Sequence, residues 1–451
     1  MSIKKEVLII GGGFSGLSAG VELVSQGHHV TIIERRSHLG GRAYSFRDPA
    51  TGSVMDNGQH ILMGCYKDTI AFLDKIGTLD QVHFQKNLSV DFAGPGLGTK
   101  KFRAWPLPAP LHLLAGFLSF GGLSFKDKIP VMRLASVMKK LEKEGSAGLK
   151  KLDQKNIPQW LGELGQSQRT QDRFWNILNL AALNDTPEVS SAALFSAVLK
   201  EAFFSGRSGS RIGIPKVGLS DLYTEAARDY IERKGGNFIT KSRVVRLHFK
   251  GREFQEAELE GGARISAEYL LSTVPFRALK ILLNDQMLYE EPFFLNLGQL
   301  TSSPIVAINL WFDREITQSP FVGFWGTRVH WLFNKARYHT DNIPYLSLVI
   351  SGAREELAMP GPELIKIAMS ELESIYPEVG RAKLLHSMVS KEPEATLSPA
   401  VGVSSFRLPQ KTPFHNFFLA GDWTDTGLPA TIESAVRSAK KAVWLINEAS
   451  E

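Results

Sequence analysis

"EVLIIGGGFSGLSAGVELVSQGHHVTIIE", residues 6–34, is the stretch that decides the fold. Its first five residues form a short apolar, β-branched run that is typical of a buried parallel strand. After the glycines, Leu17, Val21 and Val24 recur at helical spacing. Gly27 then marks the end of this helix, and "HVTIIE" supplies a second strand. The stretch therefore predicts a βαβ unit of about thirty residues.

Gly11, Gly13 and Gly16 give the spacing G-x-G-x-x-G where the first strand meets the helix. The first glycine permits a tight turn, the second lets the backbone approach a pyrophosphate, and the third lets the helix pack closely on the strand. Glu34 ends the second strand, where a carboxylate accepts hydrogen bonds from ribose hydroxyls and disfavours a 2′-phosphate. We therefore expect a bound dinucleotide, although the glycines alone are also compatible with an ordinary turn.

Two further motifs indicate which dinucleotide binds. In "ERRSHLGGRAYSF", Gly40 and Gly41 let the chain pass close to a cofactor, and Arg42 can pair with phosphate or lie beside a flavin. In "LAGDWTDTGLPATIESAV", Asp422 can accept hydrogen bonds from ribityl hydroxyls, the alternative being an ordinary Asx turn. A helix beginning near Thr431 would direct its N-terminal N–H groups at the pyrimidine carbonyl of a flavin.

Composition is that of a globular protein. A length of 451 residues predicts two or three compact units, and 43% hydrophobic with 22% charged residues allows a large ligand to be buried. The single cysteine, Cys65, excludes an intrachain disulfide and a cysteine zinc cluster, which fits a reducing cytoplasm. The net charge of +6 comes from scattered Lys and Arg, so we expect no nucleic-acid partner. We also expect no metal site.

Residues 104–125 are the most apolar surface candidate. They include "PLPAPLHLLAGFLSFGGLSF", which Pro, His and paired Gly interrupt before it reaches the roughly 18 apolar residues of a spanning helix. The segment can instead dock on a membrane interface or form a buried lid or channel wall, and both alternatives stay open. Because "KKEVLIIGGG" does not resemble a signal peptide, we expect a cytoplasmic protein; docking would place it peripherally on the inner face of the cytoplasmic membrane.

The combination of "GGGFSGLSAGVEL", "ERRSHLGGR", "STVP" and "LAGDWTDTGLPATIESAVRS" resembles the flavin amine oxidase and phytoene desaturase superfamily over essentially the whole chain. Within it, "FRDPATGSVMDNGQHILMGCY" and "GDWTDTGLPATIESAV" resemble the hydroxysqualene dehydroxylase family, also described as squalene-associated desaturases. The resemblance implies an α/β fold of the amine oxidase and glutathione reductase type, with a Rossmann-like FAD-binding domain and an inserted α+β substrate domain. It also implies the reduction of hydroxysqualene, an allylic alcohol, to squalene with loss of water in triterpene and hopanoid biosynthesis.

The resemblance also implies a set of FAD contacts. In "KSRVVRLHF", Val244 or Val245 falls where a backbone amide meets the adenine, and we prefer Val245. The residues expected to contact FAD are Gly11, Gly13, Phe14, Ser15, Gly16, Glu34, Arg35, Gly41, Arg42, Gly58, Gln59, His60, Val245, Gly421, Asp422, Thr431 and Ile432. We expect the FAD to be non-covalent, because Cys65 lies far from the C-terminal motif that carries the flavin-linking cysteine in some relatives. NAD(P)H is the expected external reductant.

The order of the patterns predicts discontinuous domains. We expect the FAD-binding domain to comprise residues 1–85, 206–284 and 411–451. The substrate-binding domain would comprise 86–205, with Pro-rich loops and apolar helices, and 285–410, which contains the strand-like runs "PIVAINLWF" and "YLSLVI".

The stretch "MDNGQHILMGCY", residues 55–66, is expected to run as a strand beside the flavin. In strand geometry Asp56, Gly58 and His60 share one side. An allylic hydroxyl leaves poorly unless it is protonated, so His60 and Asp56 are the candidate catalytic acids. A histidine in such a run can equally be a structural hydrogen-bonding group.

A hydrophobic triterpenoid substrate requires an apolar channel that excludes water. The aromatic candidates for its walls, each of which can also be plain core, are Trp105, Phe117, Phe120, Phe174, Trp175, Phe203 and Phe204. The resemblance also suggests association with other squalene-synthesis enzymes.

Three other functions compete with dehydroxylation. A carotenoid-type or phytoene-type desaturase would share the fold and channel but would need an electron acceptor. An amine oxidase is disfavoured because only Trp423 offers an aromatic side chain within the C-terminal flavin motif. A non-catalytic prenyl-binding escort protein is disfavoured because the phosphate glycines, Glu34 and Arg42 are retained.

Overall fold

The computed structural model describes residues 4–337 and 345–449. The strands are β1 Glu6–Ile10, β2 His29–Ile33, β3 Ser45–Arg47, β4 Val54–Asp56, β5 Leu62–Met63, β6 Val82–Phe84, β7 Ser89–Ala93, β8 Lys100–Arg103, β9 Ile212–Pro215, β10 Asn237–Ile239, β11 Val244–Lys250, β12 Glu253–Leu259, β13 Arg264–Ser266, β14 Tyr269–Ser272, β15 Ser302–Phe312, β16 Phe321–Phe324, β17 Trp331–Asn334, β18 Tyr345–Ser351, β19 Leu384–Leu397 and β20 Phe417–Leu419. The α-helices are α1 Phe14–Ser25, α2 Lys67–Lys75, α3 Leu111–Ser119, α4 Phe125–Lys128, α5 Arg133–Leu152, α6 Ile157–Glu163, α7 Gln168–Thr170, α8 Asn176–Leu183, α9 Ala192–Leu199, α10 Glu225–Arg233, α11 Phe276–Leu282, α12 Asn284–Glu290, α13 Gly361–Ile375 and α14 Ile432–Glu448.

A parallel sheet of five strands, in the order β10-β2-β1-β14-β20, has β1 at its centre. Leu8 and Ile9 of β1 are fully buried, as expected for a parallel strand covered on both faces. Helix α1 connects β1 to β2 and packs against α10 and α14. The predicted βαβ unit is therefore confirmed by β1, α1 and β2.

Gly16 brings α1 unusually close to the end of β1. A Cβ atom at this position would lie 1.9 Å from the carbonyl oxygen of Gly11, so only glycine fits. Gly11 itself has a φ of 109°, a conformation that favours glycine. Next to this contact, the Ser15 hydroxyl donates to the carbonyl of Ala435 at 2.7 Å. The start of α1 is thus fixed against both β1 and α14.

A mixed sheet of seven strands, in the order β19-β15-β18-β17-β16-β7-β8, forms the second large layer. Its strand pairs are antiparallel except for the parallel pair of β16 and β7. Along β18, Leu346, Leu348 and Ile350 belong to one apolar cluster with Leu364 of α13. Val349 lies on the opposite face of the strand and joins the core that the aromatic residues of the helices build.

The two large sheets consist of strands from different predicted domains. The parallel sheet takes strands from 1–85, 206–284 and 411–451, whereas the mixed sheet takes strands from 86–205 and 285–410. The α/β fold class is confirmed, and the domain boundaries stay a prediction. Among the described helices, none combines the length and apolarity needed to cross a bilayer.

The prediction of one continuous strand through residues 55–66 is wrong, because two short strands with a turn between them occupy this stretch. Strand β4 ends at Asp56, and the chain then turns through Gly58, whose φ is 82°. Strand β5 begins only at Leu62 and pairs with β9, whereas β4 pairs with β3. The alternation expected for a single strand therefore does not apply to residues 57–61.

Candidate active site

A cavity of about 1070 Å³ lies between the two large sheets. Its polar end is built at the carboxyl ends of β1, β2, β14 and β20, which lead into Gly11, Glu34, Thr273 and Gly421. This is the edge of an open parallel sheet at which ligands bind. The apolar end is lined by side chains that include Val90, Phe92, Phe102, Phe174, Leu178 and Val349. One continuous space therefore joins a polar cradle to an apolar compartment.

The glycine turn forms the cradle at the polar end. A Cβ atom on Gly13 would find no protein atom closer than the Cα of Gly41 at 3.8 Å, so it would point into the cavity. The carboxylate of Glu34 accepts hydrogen bonds from the backbone N–H groups of Gly12 and Arg36, each at 2.9 Å. These bonds hold the Glu34 carboxylate at the cavity wall, beside the glycine turn.

Arg42 links distant segments across the cavity. Its guanidinium donates to Oδ1 of Asp422 at 2.5 Å and to the carbonyl of Ala395 at 2.9 Å. Burial lowers the pKa of Arg42, but the carboxylates of Asp422 and Glu392 and the bond to Asp422 outweigh it, so the pKa lies above its usual value. Arg42 and Asp422, which the sequence suggested separately, therefore form one ion pair in the cavity wall.

The loop before α14 is held by the buried side chain of Arg407. Its guanidinium donates to the main-chain carbonyls of Asp422, Trp423, Thr424 and Leu428. Burial lowers the pKa of Arg407 to about 10, so the side chain remains charged at neutral pH. Thr431 caps the following helix as predicted, because its Oγ1 accepts from the N–H of Ser434 at 3.2 Å.

Residues 57–60 turn along the cavity wall between the two ends. The ring Nδ1 of His60 lies 3.0 Å from the carbonyl oxygen of Gly58. Because a carbonyl only accepts, Nδ1 carries the proton and the neutral ring keeps its lone pair on Nε2. Burial lowers the pKa of His60 below 6.5, partly opposed by Asp56, so the ring is neutral at pH 7.

Asp56 lies outside the residues that line the cavity, and its proposed catalytic role needs correction. Its carboxylate accepts from the Ser45 hydroxyl at 2.7 Å and the Leu219 N–H at 2.9 Å. It also pairs with the buried ammonium of Lys335 at 3.3 Å. Burial alone would raise the pKa of Asp56, but the charge of Lys335 and the two hydrogen bonds outweigh burial, so the pKa lies below its usual value. An ionised, fully engaged carboxylate cannot protonate a substrate in the cavity.

A family model for flavin containing amine oxidoreductases matches residues 14–447. The chain belongs to that family. The family is one of flavin-dependent oxidoreductases, and it implies FAD as the cofactor of this chain.

Curated relatives include two carotenoid-pathway enzymes. The chain is 26% identical to a 15-cis-phytoene desaturase of Synechococcus elongatus, over 96% of this chain and 94% of that protein. It is 26% identical to a zeta-carotene desaturase of Capsicum annuum, over 99% of this chain and 82% of that protein. Solved structures of similar fold include an oxidoreductase from Methanosarcina mazei, with a TM-score of 0.77 and 17% identity over 97% of this chain and 99% of that one. A putrescine oxidase bound to putrescine has a TM-score of 0.75 and 16% identity over 98% and 99% of the two chains.

The polar end of the cavity fits the FAD that the family implies. The open space above Gly13 admits a pyrophosphate, and the N-terminus of α1 faces it. At the other side, the N-terminus of α14 reaches the wall at Ile432. Between them, the side-chain oxygen of Gln59 is buried and has no hydrogen-bond partner among the described residues, so it suits an N–H donor of a flavin ring.

Most of the predicted FAD contacts come together in this cavity. The predicted residues that line it are Gly11, Gly13, Phe14, Ser15, Glu34, Arg35, Gly41, Arg42, Gly58, Gln59, His60, Val245, Gly421, Asp422, Thr431 and Ile432. Gly16 lies behind the wall, where it packs α1 on β1. Val244 and Val245 both line the cavity, so either residue can provide the contact to the adenine.

The aromatic residues expected to wall a channel divide into two groups. Phe174 and Phe203 line the cavity. Phe117, Phe120 and Trp175 are buried in the core without lining the cavity. The two remaining candidates, Trp105 and Phe204, are exposed and half-buried respectively, and neither lines the cavity.

Several wall residues escaped the sequence patterns. Thr273 follows β14 inside the run "STVP", which carried the resemblance but no assigned contact. Tyr66 ends the quoted stretch "MDNGQHILMGCY" but was assigned no contact, and Glu392 lines the cavity from a position that no short motif marks. Arg407, which supports the loop from behind the wall, carries no local signal, because its partners are backbone carbonyls 15–21 residues downstream.

Cys65 lies in the wall of the cavity, although it is far in sequence from the C-terminal flavin motif. Burial raises the pKa of its thiol to about 12, and the carboxylates of Glu201 and Glu433 add to this effect. The thiol is therefore protonated at neutral pH and is a poor nucleophile, because the thiolate is the reactive form.

Alanine at Gly13 and at Gly16 should separate cofactor binding from folding. Gly13→Ala is expected to leave the unfolding free energy of the apoprotein within about 0.5 kcal/mol while lowering FAD content, because the new methyl group enters the cradle and not the core. Gly16→Ala should destabilise by about 1–3 kcal/mol or more, since its methyl group meets the Gly11 carbonyl. Denaturant unfolding and flavin absorbance measure the two effects.

Gly162→Ala is the matched control, because Gly162 lies in α6 and a methyl group added there would meet no atom within 4 Å. It should be neutral or slightly stabilising. Full FAD occupancy in Gly13→Ala would contradict the assignment of the cradle.

Proposed function

We propose that this flavin oxidoreductase reduces hydroxysqualene to squalene and water. The observation that carries the proposal is the continuity of the cavity, in which the flavin cradle opens into an apolar compartment walled by Phe92, Phe102 and Val349. The resemblance of residues 46–66 to hydroxysqualene dehydroxylases gives the substrate. A long hydrocarbon with one hydroxyl group matches a cavity that joins a polar cradle to a largely apolar compartment.

The reaction is a balanced reductive substitution at an allylic carbon. The carbon–oxygen bond breaks, a proton joins the leaving oxygen to give water, and a hydride completes the new carbon–hydrogen bond. Reduced FAD supplies that hydride when bound and is left oxidised, so an external reductant, which we propose to be NAD(P)H, must restore it. The apolar walls keep water from capturing the allylic cation.

A group of polar side chains lines the cavity at the turn that carries His60. Asn57 donates to the carbonyl of Arg42 at 3.0 Å and also approaches the carboxylate of Glu392 at 3.5 Å. His60 follows on the same turn, and all four residues line the cavity. A substrate hydroxyl therefore finds several hydrogen-bonding groups at this turn, whereas the side chains of Phe92 and Val349 offer none.

The second candidate function is desaturation of a carotenoid-type hydrocarbon. The names of the relatives from Synechococcus elongatus and Capsicum annuum favour it, at 26% identity in each case. The same apolar compartment accommodates such a chain. The two functions differ in electron flow, because a desaturase needs an acceptor and a dehydroxylase needs a donor.

Anaerobic incubation of the purified holoenzyme with hydroxysqualene and NAD(P)H should yield squalene, measured by gas chromatography. The control is the same protein given phytoene and an electron-accepting quinone. Desaturated products in the control, with no squalene in the first reaction, would favour the second function and contradict the first.

His60 is the remaining candidate proton donor. Since only its protonated ring can donate from Nε2, turnover of hydroxysqualene should be highest at low pH and fall as pH rises through a midpoint below 6.5. His60→Ala should lower turnover by about 10²–10⁴-fold and remove this dependence. His112→Asn is the control, because His112 is buried outside the cavity wall. Undiminished turnover by flavin-replete His60→Ala would remove His60 from the mechanism.

We also propose that residues 104–125 dock on an anionic membrane surface. Leu111 and Leu118 lie seven residues apart on one face of α3 and are 52% and 43% exposed. The Trp105 indole, 51% exposed, bonds to Ser119 at 3.3 Å and so joins this face, and Phe125 is 73% exposed. Exposed Lys100, Lys101, Arg103 and Lys126 flank the segment in sequence. The exposed face, and not the buried Phe117, is the surface to test.

Leu111→Glu with Leu118→Glu should lower sedimentation with anionic lipid vesicles at least tenfold, since each leucine loses about 1.5–3 kcal/mol of apolar burial. Leu385→Glu is the control, because Leu385 is 57% exposed on β19, away from this segment. Equal sedimentation of the double variant and the wild type would rule out docking through α3.

A further inference from the structure

A cluster of six aromatic rings closes the apolar end of the cavity, and Phe174 is at its centre. On the cavity side, the Phe174 ring centroid lies 5.4 Å from that of Phe102 and 6.2 Å from that of Phe92. All three side chains line the cavity. On the far side, Phe174 contacts rings that do not line it: Phe117 at 5.0 Å, Phe120 at 6.0 Å and Trp175 at 4.9 Å. Phe174 therefore stands between the ligand space and the solid core.

The backbone on both sides of Phe174 is anchored. The indole N–H of Trp325 donates to the carbonyl of Arg173 at 2.9 Å, and the indole N–H of Trp175 donates to the side-chain oxygen of Gln166 at 3.1 Å. Phe174 lies in the π-helical turn Gln171–Trp175, a type of turn that is frequent at functional sites. These bonds hold the turn that carries Phe174, and the rings packed on its far side restrict rotation of its side chain.

The apolar end of the cavity is densely packed behind Phe174. Phe174 is 7% exposed, and Phe117 and Phe120 directly behind it are 4% and 0% exposed. Protein interiors packed in this way do not yield to an extra methylene group without strain. An apolar ligand that reaches Phe174 therefore cannot extend further in this direction.

We propose that Phe174, with Phe92 and Phe102 beside it, sets the maximum length of the apolar chain that the enzyme accepts. The inference rests on the proposed function in taking the ligand to be a long apolar chain with its polar group at the cradle. Each methylene group that enters the compartment should tighten binding about fourfold, since one buried methylene contributes about 0.8 kcal/mol. The gain should stop at the chain length whose end meets Phe174.

Linear primary alcohols of increasing length, added to the FAD holoenzyme, provide the probe, and the change in flavin absorbance gives each Kd. For the wild type, Kd should fall about fourfold per methylene and then level off. In Phe174→Leu and Phe174→Ala, the chain length at which Kd stops falling should increase, and it should increase more in the alanine variant. The Kd values of the shortest alcohols should change little. Phe174→Leu keeps an apolar side chain and guards against failure of Phe174→Ala to fold.

Phe117→Leu is the matched control, because Phe117 packs on Phe174 but does not line the cavity. It should leave the levelling point unchanged. An equal shift in Phe117→Leu, no shift in either Phe174 variant, or a wild-type Kd independent of chain length would each overturn the proposal. The outcome is separable from that of the proposed function: a shifted levelling point without squalene formation refutes only the dehydroxylation, and squalene formation without a shift refutes only the role of Phe174.

Discussion

The site depends on the contact between Gly16 and the carbonyl of Gly11. Because no side chain fits between them, α1 begins directly at the carboxyl end of β1 and directs its N-terminus at the cavity. Helix α14 is then placed by α1, since the Ser15 hydroxyl bonds to the carbonyl of Ala435. Two helix N-termini consequently converge on one space. Their partial positive charges, together with the open face of the glycine turn, favour an anionic cofactor there.

Two arginine side chains then hold the segments that the Gly16 contact does not position, namely the junction of the two sheets and the loop before α14. Arg42 joins the segment after β2 to Asp422 near the C-terminus and to Ala395 of β19, so it ties the parallel sheet to the mixed one. Arg407 satisfies the carbonyls of the loop before α14, a stretch with little regular structure of its own. Arginine suits both tasks, because one planar guanidinium can serve several acceptors at once.

The sequence predicted those parts of the site that local chemistry determines. The glycine spacing, Glu34 after a strand and Thr431 before a helix each carry their reason within a few residues, and all were found in the expected elements. Asp56 was misplaced for a different reason. Its partner Lys335 is 279 residues away, and the chain turns at Gly58 after β4, so Asp56 does not line the cavity beside His60 as period-two alternation predicted. Arg407 lacks a local signal in the same way.

The two candidate functions use one geometry in opposite directions. In both, a hydride moves between the cofactor and a carbon of an apolar chain, so the walls formed by Phe92, Phe102 and Val349 serve either reaction. What differs is the proton, which dehydroxylation must deliver to a leaving oxygen. With Asp56 held by Lys335, that task falls to the turn that carries His60. A histidine whose pKa is lowered by burial is scarce in its charged form at neutral pH, but it is a stronger acid whenever it is charged. We therefore expect the polar end of the cavity, and not the hydrocarbon compartment, to decide between the two candidate functions.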